Sequence, residues 1–287
     1  MKRIIVLSVL FLILSIKGIR GQEEDRHKNE LETIIKEVES DEGKKYELII
    51  TLPINYNDER TYKTLYYLDG WWLSDLVKGS YRINYLTKEM EEVILVGLSI
   101  KGDEDAWNKQ RNKDYTPSNY DKEKMKITMK SGTVELKEET TGGAEEFIRF
   151  MKGVVFDTIE STYNIDKESR GILGHSFGGL FGYYCLINHT EIFKNYILIS
   201  PSIWWNKSEF LAIENIKRIK RDVNIYVVVG KSESKMLITP IRKMTEGLEE
   251  IKNERNRIES KEYEEMDHHS ILPTGIYEGL ELIYRKE

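Results

Sequence analysis

A serine between glycines is the residue of this sequence best suited to covalent chemistry. The run Gly174-His175-Ser176-Phe177-Gly178-Gly179 follows the apolar Gly171–Leu173 and precedes the apolar, helix-length stretch Leu180–Ile187. A G-x-S-x-G pattern between a strand and a helix is typical of the nucleophile elbow, a tight turn that exposes the serine hydroxyl. The serine then lies at a helix N-terminus, where the backbone N–H of Phe177 can donate to an oxyanion. The pattern predicts Ser176 as the nucleophile of an acyl transfer.

A serine nucleophile needs a base, and the candidates for this base are the histidines that follow Ser176 in the chain. In hydrolases with this elbow the chain order is serine, acid, histidine. The histidines after Ser176 are His189, His268 and His269. His189 lies at the far end of the helix that begins at the serine, about 20 Å away, which is too far to reach. The pair His268 and His269 therefore stays as the source of the base.

The acid of a triad is expected in the loop after the predicted strand Asn224–Val229, where Glu233 is the carboxylate. It would accept the second imidazole N–H and stabilise the imidazolium as it forms. Asp267 is a weaker alternative, because the side chain next to a catalytic histidine usually points elsewhere. A serine–histidine dyad without a working acid is a further alternative.

Aromatic residues and a second oxyanion donor are predicted near the same strand ends. Asp69-Gly70-Trp71 follows an early strand, so the Trp71 N–H is expected as the second donor. Trp72, Trp204 and Trp205 would form an apolar wall for an acyl or ring-bearing substrate. Each of these tryptophans could equally pack in the core.

Apolar, β-rich runs alternate with stretches of helical periodicity along the chain. This alternation predicts an α/β-hydrolase fold, with a mostly parallel central sheet and helices on both faces. The predicted strands are Tyr46–Leu52, Thr64–Leu68, Val93–Ile100, Gly171–Leu173, Tyr196–Ile199, Asn224–Val229 and Glu262–Met266. The predicted helices are Ala144–Thr162, Gly178–Ile187, Leu237–Asn256 and Ile276–Tyr284.

The segment 111–143 is polar and charged and has no strong period. It is either a small cap-like insertion over the C-terminal edge of the sheet, where ligands bind in such folds, or a solvated insertion. We expect one catalytic domain over residues 22–287 that includes this insertion.

The N-terminus has the layout of a secretory signal. Lys2 and Arg3 precede the uncharged, mostly apolar Ile4–Ile16, and a charged segment follows Gly21. As a helix the apolar run is about 20 Å long, short of the about 30 Å of bilayer hydrocarbon. We expect a signal peptide at residues 1–21 and export to the periplasm or beyond the cell, with no membrane insertion after cleavage. An uncleaved membrane anchor is the alternative.

The net charge of the chain bears on the partners that it can bind. The formal net charge is −6, and residues 1–21 carry four positive charges and no negative ones, which leaves about −10 for the rest. This argues against nucleic acid and anionic membrane surfaces as partners.

Cys185 is the only cysteine, so no intramolecular disulfide can form. Asp267-His268-His269 lacks the i, i+4 spacing of a helical zinc pair, and no metal site is expected.

The sequence resembles the putative-esterase (esterase D-like) family of α/β hydrolases, nearest the bacterial siderophore branch with enterobactin and salmochelin esterases. The elbow and the SPSIWW segment are the most specific part of the resemblance, which covers most of residues 22–287. The matching stretches are TLYYLDG, RNKDYTP, GGAEEFIRFMKGVVFDTIESTYNID, GILGHSFGGLFGYYCL, IFKNYILISPSIWWN, VVVGKSE and DHHSILPTGIYEGL. The resemblance implies hydrolysis of a small-molecule ester without metal or organic cofactor.

The resemblance also implies roles for individual residues. The H-x-S pattern of the branch falls on His268 as the catalytic histidine, and its G-x-x-E segment falls on Glu233 as the acid. The R-x-x-D-Y-T-P stretch begins at Arg111 and starts the region that closes over the site. An arginine in this neighbourhood helps siderophore esterases to grip a phenolate-rich substrate, which makes Arg111 a candidate for substrate binding.

We therefore expect a serine esterase that forms an acyl-enzyme on Ser176. Relatives act on trilactone siderophores, simple acyl esters and feruloylated sugars, so the resemblance leaves these three substrate classes. Two other functions stay open: an inactive binding protein on a hydrolase scaffold, and acyl transfer to a sugar or lipid acceptor. The intact Ser176, Glu233 and His268 argue against the inactive protein.

Overall fold

The computed structural model describes most of the chain after residue 30. The predicted signal peptide, residues 1–21, lies outside the described residues. No helix within the described ranges is both long and apolar enough to cross a membrane. The described residues are 31–87, 90–125, 128, 130–131, 134–211, 213–217, 219 and 221–286.

A mostly parallel sheet of eight strands forms the centre of the fold. The strands of the described chain are β1 (Thr33–Glu39), β2 (Lys45–Thr51), β3 (Tyr62–Tyr67), β4 (Val93–Ile100), the short pair β5 (Lys130–Ser131) and β6 (Val134–Glu135), β7 (Ile165–His175), β8 (Asn195–Ile199), β9 (Asn224–Gly230) and β10 (Ile258–Tyr263). The sheet order is β1-β2-β4-β3-β7-β8-β9-β10, with β5 and β6 paired separately. Strands β1, β2 and β4 pair antiparallel, and the pairs from β4 to β10 are parallel.

Helices cover both faces of this sheet, as predicted. They are α1 (Gly70–Thr87), α2 (Glu104–Tyr115), α3 (Lys122–Met125), α4 (Ala144–Phe150), α5 (Asp157–Glu160), α6 (Phe177–Asn188), α7 (Trp205–Ser208), α8 (Ile213–Ile216), α9 (Lys235–Glu249) and α10 (Leu272–Ile283). A π-helical turn, Met151–Phe156, joins α4 to α5, and Glu138–Thr140 form a 3-10 turn. Helices α1 and α10 pack on one face, while α4, α6 and α9 pack on the other.

Burial on both faces explains the continuous apolar runs of the central strands. All eight residues of β4 are buried. In β3, the neighbours Tyr66 and Tyr67 belong to the core clusters on opposite faces, because successive side chains of a strand alternate. A strand covered by helices on each side therefore needs apolar residues at every position.

Helices α1 and α2 and strand β1 are present although the sequence patterns did not predict them. Helix α1 contains glycine and serine, but Leu73, Val77 and Tyr81 recur at i, i+4 spacing and are fully buried against the sheet. Tertiary packing of one face supplies most helical stability, so weak local propensity does not prevent this helix. Helix α2 is polar and is capped by the Asp103 side chain, which accepts the Ala106 N–H at 2.9 Å.

Several predicted boundaries shift in the structure, and two of these shifts concern residues near the candidate site. The last strand, expected at Glu262–Met266, is β10 and ends earlier, at Tyr263, where its register with β9 ends. The polar segment expected from residue 111 is helical through Tyr115, since its first residues complete α2. Arg111 thus lies on a helix and not in an irregular loop.

Candidate active site

The turn between β7 and α6 carries Ser176 in a strained backbone conformation. Ser176 has φ 58° and ψ −116°, in a region that residues with a Cβ rarely occupy. Its N–H donates to the Ile199 carbonyl of β8 at 3.0 Å, which fixes the turn to the neighbouring strand. Such strain is retained where the surroundings hold it and commonly marks a functional residue.

Close packing around this turn admits only glycine at two positions. A Cβ at Gly174 would lie 2.2 Å from the Gly178 carbonyl oxygen, and a Cβ at Gly179 would lie 2.9 Å from Pro201 Cα. Both contacts are shorter than a real Cβ allows and both involve backbone. A Cβ at Gly178, the second glycine of G-x-S-x-G, would meet a leucine side chain at 3.3 Å. Gly179, which follows the motif, is therefore more restricted than Gly178.

His268 and Glu233 form a hydrogen-bonded pair beside the elbow. His268 Nδ1 lies 2.8 Å from Glu233 Oε2, and the Glu233 side chain is buried. Because a carboxylate accepts, the pairing assigns the imidazole proton to Nδ1 and leaves Nε2 as the basic nitrogen. The second oxygen, Oε1, accepts the Ser200 hydroxyl at 2.5 Å and the Gly230 N–H at 3.3 Å. The arrangement can hold a neutral imidazole ready to accept a proton.

The Ser176 hydroxyl is hydrogen-bonded to another serine in this structure. Ser176 Oγ lies 3.3 Å from Ser202 Oγ, and within the described chain it is not hydrogen-bonded to the His268 ring. Serine–histidine hydrogen bonds are often long without substrate and shorten when substrate binds. Ser176, Ser202 and His268 line one cleft.

His175, Ser200 and Ser202 contact the predicted triad but were not singled out from the sequence. His175 Nε2 donates to the His268 carbonyl at 2.7 Å, and the two rings lie 4.5 Å apart. Burial lowers the pKa of His175 well below its usual value, which favours the neutral ring, and the carbonyl acceptor places the proton of that ring on Nε2. Two features of the sequence could have indicated these residues. His175 occupies the first variable position of G-x-S-x-G, and Ser200 and Ser202 belong to the family-specific SPSIWW segment.

The cleft at the C-terminal edge of the sheet has a volume of about 390 Å³. A larger cavity of about 840 Å³ lies beside Tyr62 and Tyr85, and its lining contains no member of the predicted triad. The described residues hold no group of three or more His, Cys, Asp or Glu side chains placed to bind a metal ion. The cleft is lined by Trp72, Glu104, Trp107, Asn108, Arg111, Leu136, His175, Ser176, Phe177, Ser202, Trp204, Leu237, His268 and His269.

The two expected oxyanion donors lie in the first turns of α6 and α1. Phe177 is the first residue of α6 and lines the cleft. Trp71 lies two residues after Asp69, whose φ is 57°. Trp71 is 51% exposed, and its indole ring is edge-on to that of Trp107, with the ring centroids 5.4 Å apart. N–H groups in the first turn of a helix have no partner within that helix, so both can donate elsewhere.

Arg111, the candidate for substrate binding, lines the cleft and is also held by other residues of the protein. Its Nε and Nη2 donate to the two Asp69 carboxylate oxygens at 2.8 and 3.0 Å, and Nη2 also donates to the His175 carbonyl at 3.3 Å. The arginine is only 5% exposed. Burial raises the pKa of the Asp69 carboxyl, and the Arg111 guanidinium opposes that rise. Arg111 thereby joins the loop that carries Trp71, the expected second oxyanion donor, to the strand end before Ser176.

Removing this cation should destabilise the fold in a pH-dependent way. We expect Arg111→Met to lose about 3–5 kcal/mol of unfolding free energy at neutral pH, because Asp69 would keep a buried, unpaired charge. Since protonation of Asp69 removes that charge, the loss should shrink as the pH falls. Urea unfolding at about pH 5 and about pH 7.5 measures both effects.

Two variants control this measurement. Arg82→Met, at an exposed position of α1, should change the unfolding free energy by about 0.5 kcal/mol or less. Asp69→Asn introduced into Arg111→Met should recover part of the loss, because the amide is neutral. An equal loss at both pH values would contradict the buried-charge explanation.

The three tryptophans predicted as substrate contacts differ in placement. Trp72 and Trp204 line the cleft, as expected for an apolar wall. Trp205 is fully buried, and its Nε1 donates to Ser118 Oγ at 3.0 Å. It packs edge-on to Phe177 at 5.4 Å and so supports the elbow from the core. A substrate in the cleft would contact Trp204 and not Trp205.

Comparison with known proteins agrees with this geometry. Residues 40–272 match the family described as Putative esterase. The chain belongs to this family. Its sequence is 28% identical over 250 residues to ferri-bacillibactin esterase BesA of Bacillus subtilis strain 168, covering 83% of this chain and 84% of that protein. The crystal structure of the BES protein from Bacillus cereus has TM-score 0.77 and 26% identity, covering 88% of this chain and 96% of that one.

A second relative matches a smaller part of the chain. The apo-salmochelin esterase of Escherichia coli O6:H1 is 30% identical over 142 residues, which are 50% of this chain and 42% of that protein. Family membership together with these relatives makes the chain a carboxylic ester hydrolase of the serine type. The expectations of an α/β-hydrolase fold and of an esterase are confirmed.

Proposed function

We propose that this enzyme hydrolyses the ester bonds of a siderophore trilactone through an acyl-enzyme on Ser176. The observation that carries the proposal is the hydrogen bond of 2.8 Å between His268 and Glu233, with His268 lining the same cleft as the elbow serine. His268 acts as the base and Glu233 holds its ring. The N–H groups of Phe177 and Trp71 bind the oxyanion, and Arg111 and Asp69 keep the Trp71 loop against the elbow.

The reaction proceeds in two acyl transfers. His268 Nε2 accepts the Ser176 proton as Oγ attacks the ester carbonyl, and the same proton then passes to the leaving alkoxide. Water attacks the acyl-enzyme with His268 again as base, and the Ser176 hydroxyl is restored. Glu233 stays ionised and stabilises the imidazolium in both steps.

The cleft favours an aromatic ester of low charge. Trp72, Trp107 and Trp204 supply rings that can pack against aryl groups. The charged side chains among the described lining residues are Glu104 and Arg111, and Asp69 offsets the charge of Arg111. An anionic ferric complex would gain little Coulombic attraction in this cleft. We therefore expect the iron-free trilactone to be hydrolysed faster than its ferric complex.

A substrate panel tests this proposal. Iron-free and ferric enterobactin, a feruloyl ester and p-nitrophenyl esters of increasing chain length are incubated with the enzyme, and the products are identified by mass spectrometry. Opening of the iron-free trilactone with a higher kcat/KM than the other esters supports the proposal. Turnover of the simple esters with an intact trilactone would refute the siderophore substrate while leaving the esterase activity.

Glu233→Gln should keep the fold and lower kcat by about 10²–10⁴. The amide cannot match the three hydrogen bonds that the carboxylate accepts, so the orientation and charge stabilisation of His268 are lost. Steady-state kinetics on p-nitrophenyl acetate measure the effect. An unchanged kcat would mean that the enzyme uses a dyad or another carboxylate.

Asp267→Asn is the matched control for that variant. The Asp267 carboxylate accepts the backbone N–H groups of Ser270 and His269, and these bonds lower the pKa of Asp267 to about 2. It caps a turn and has no hydrogen bond with the His268 ring within the described chain. We expect this variant to retain kcat within a few-fold.

Export is a further part of the proposal. We propose that residues 1–21 are a cleaved signal and that residues 22–287 form one catalytic domain in the periplasm or outside the cell. N-terminal sequencing of protein made from the full-length gene in its native cells tests this. A first residue at Gln22 in an exported fraction supports cleavage, whereas Met1 retained in a membrane fraction would favour the anchor.

A further inference from the structure

Ser202 lies next to the Ser176 hydroxyl, but the mechanism above gives it no role. It follows β8 in the turn Ser200-Pro201-Ser202, and it is 1% exposed. Its Oγ is 3.3 Å from Ser176 Oγ, and its N–H donates to the Ser176 carbonyl at 3.0 Å. Two bonds therefore tie this residue to the nucleophile, one through the backbone and one through the side chain.

The backbone around Ser202 holds its hydroxyl in place. Pro201 packs so closely on α6 that a Cβ at Gly179 would lie 2.9 Å from Pro201 Cα. Ser200 has φ 43°, and its N–H donates to the Val228 carbonyl of β9 at 2.8 Å. A hydroxyl on such a fixed turn needs little reorganisation during the reaction, the condition under which a donor stabilises developing charge well.

We propose that Ser202 is a further catalytic residue, which donates a hydrogen bond to Ser176 Oγ during acylation and deacylation. This inference rests on the proposed role of Ser176 as nucleophile. Either hydroxyl can donate in the Ser176–Ser202 bond. With Ser202 as the donor, the Ser176 proton is free to go to His268 Nε2, and a lone pair of Ser176 Oγ accepts from Ser202.

The donor acts on charge that develops at one atom in both steps. In acylation the Ser176 proton moves to His268 as the bond from Oγ to the carbonyl carbon forms. In deacylation that bond breaks, its electron pair returns to Oγ, and Oγ takes a proton from His268. Negative charge on Oγ is largest in these two transition states, so a hydrogen bond from Ser202 is stronger there than in the ground state. Ser202 keeps its own proton throughout.

A matched pair of variants isolates the hydroxyl. Threonine and valine have nearly the same shape, so Ser202→Thr and Ser202→Val disturb packing alike and differ in the donor. We expect Ser202→Val to release p-nitrophenol about 10–100-fold more slowly than Ser202→Thr, both in the burst and in the steady state. The dissociation constant of the substrate before acylation should be the same for the two variants. The rate of labelling by a fluorophosphonate should fall in the same ratio. Ser202→Ala provides the comparison with wild type if the larger side chains prevent folding.

The outcomes separate this inference from the proposed function. Equal rates for the threonine and valine variants would overturn it, as would an alanine variant at least as fast as wild type, which would mean that Ser202 restrains the nucleophile. Activity that survives in Ser176→Ala would instead refute the nucleophile itself. A dead Ser176→Ala together with equal threonine and valine variants would refute the role of Ser202 alone.

Discussion

Ser176→Ala is expected to lower kcat for ester hydrolysis by about 10⁵–10⁶ and to abolish covalent labelling by a fluorophosphonate. The methyl group cannot attack a carbonyl, and no acyl-enzyme can form. Residual turnover would come from the oxyanion donors and substrate binding alone. The φ of 58° at residue 176 is held by the packing of the turn between β7 and α6, so we expect Ser176→Ala to fold with the same turn.

The labelling experiment also locates the nucleophile. Peptide mapping of the wild-type protein after reaction should find the probe on Ser176. Ser161→Ala, at the exposed end of α5, is the matched control and should retain full activity and labelling. A label on another residue of the folded wild type would refute the mechanism.

The second large effect is expected at His268. His268→Ala should lower kcat by about 10⁴–10⁶, because removing the base of such a triad costs nearly as much as removing its nucleophile. The neighbouring His269→Ala should keep most of the activity. His269 is exposed and its ring lies edge-on to His268 at 5.4 Å, whereas His268 holds the bond to Glu233.

Steady-state kinetics of the two alanine variants with p-nitrophenyl acetate make the comparison. Circular dichroism and thermal unfolding of both proteins show whether either change acts through the fold. If His269→Ala is the inactive variant and His268→Ala is active, the placement of the H-x-S pattern is wrong by one residue. Loss of activity in both variants with intact folding would mean that the rings act together.

The sequence predicted the features that depend on local pattern. Val93–Ile100 was predicted as a strand with its observed bounds, because burial on both faces requires an unbroken apolar run. The G-x-S-x-G run gave a strand-turn-helix because the close approach of β7 and α6 excludes a side chain at Gly174. Helix α1 was missed because its stability comes mainly from three buried apolar side chains and not from its propensity.

The tertiary structure decided which polar and aromatic side chains meet. Arg111 and Asp69, 42 residues apart, pair because burial requires a counter-charge, and no local pattern shows which carboxylate a folded chain brings near. Trp204 and Trp205 are chemically identical neighbours, yet only Trp204 lines the cleft, since the direction of each side chain depends on the backbone of their turn. The Ser200 and Ser202 hydroxyls contact Glu233 and Ser176, which lie in the turns that follow two other strands, β9 and β7. Sequence alone thus predicted most strands of the large sheet and the candidate nucleophile Ser176, whereas packing of distant segments determined the environment of that serine.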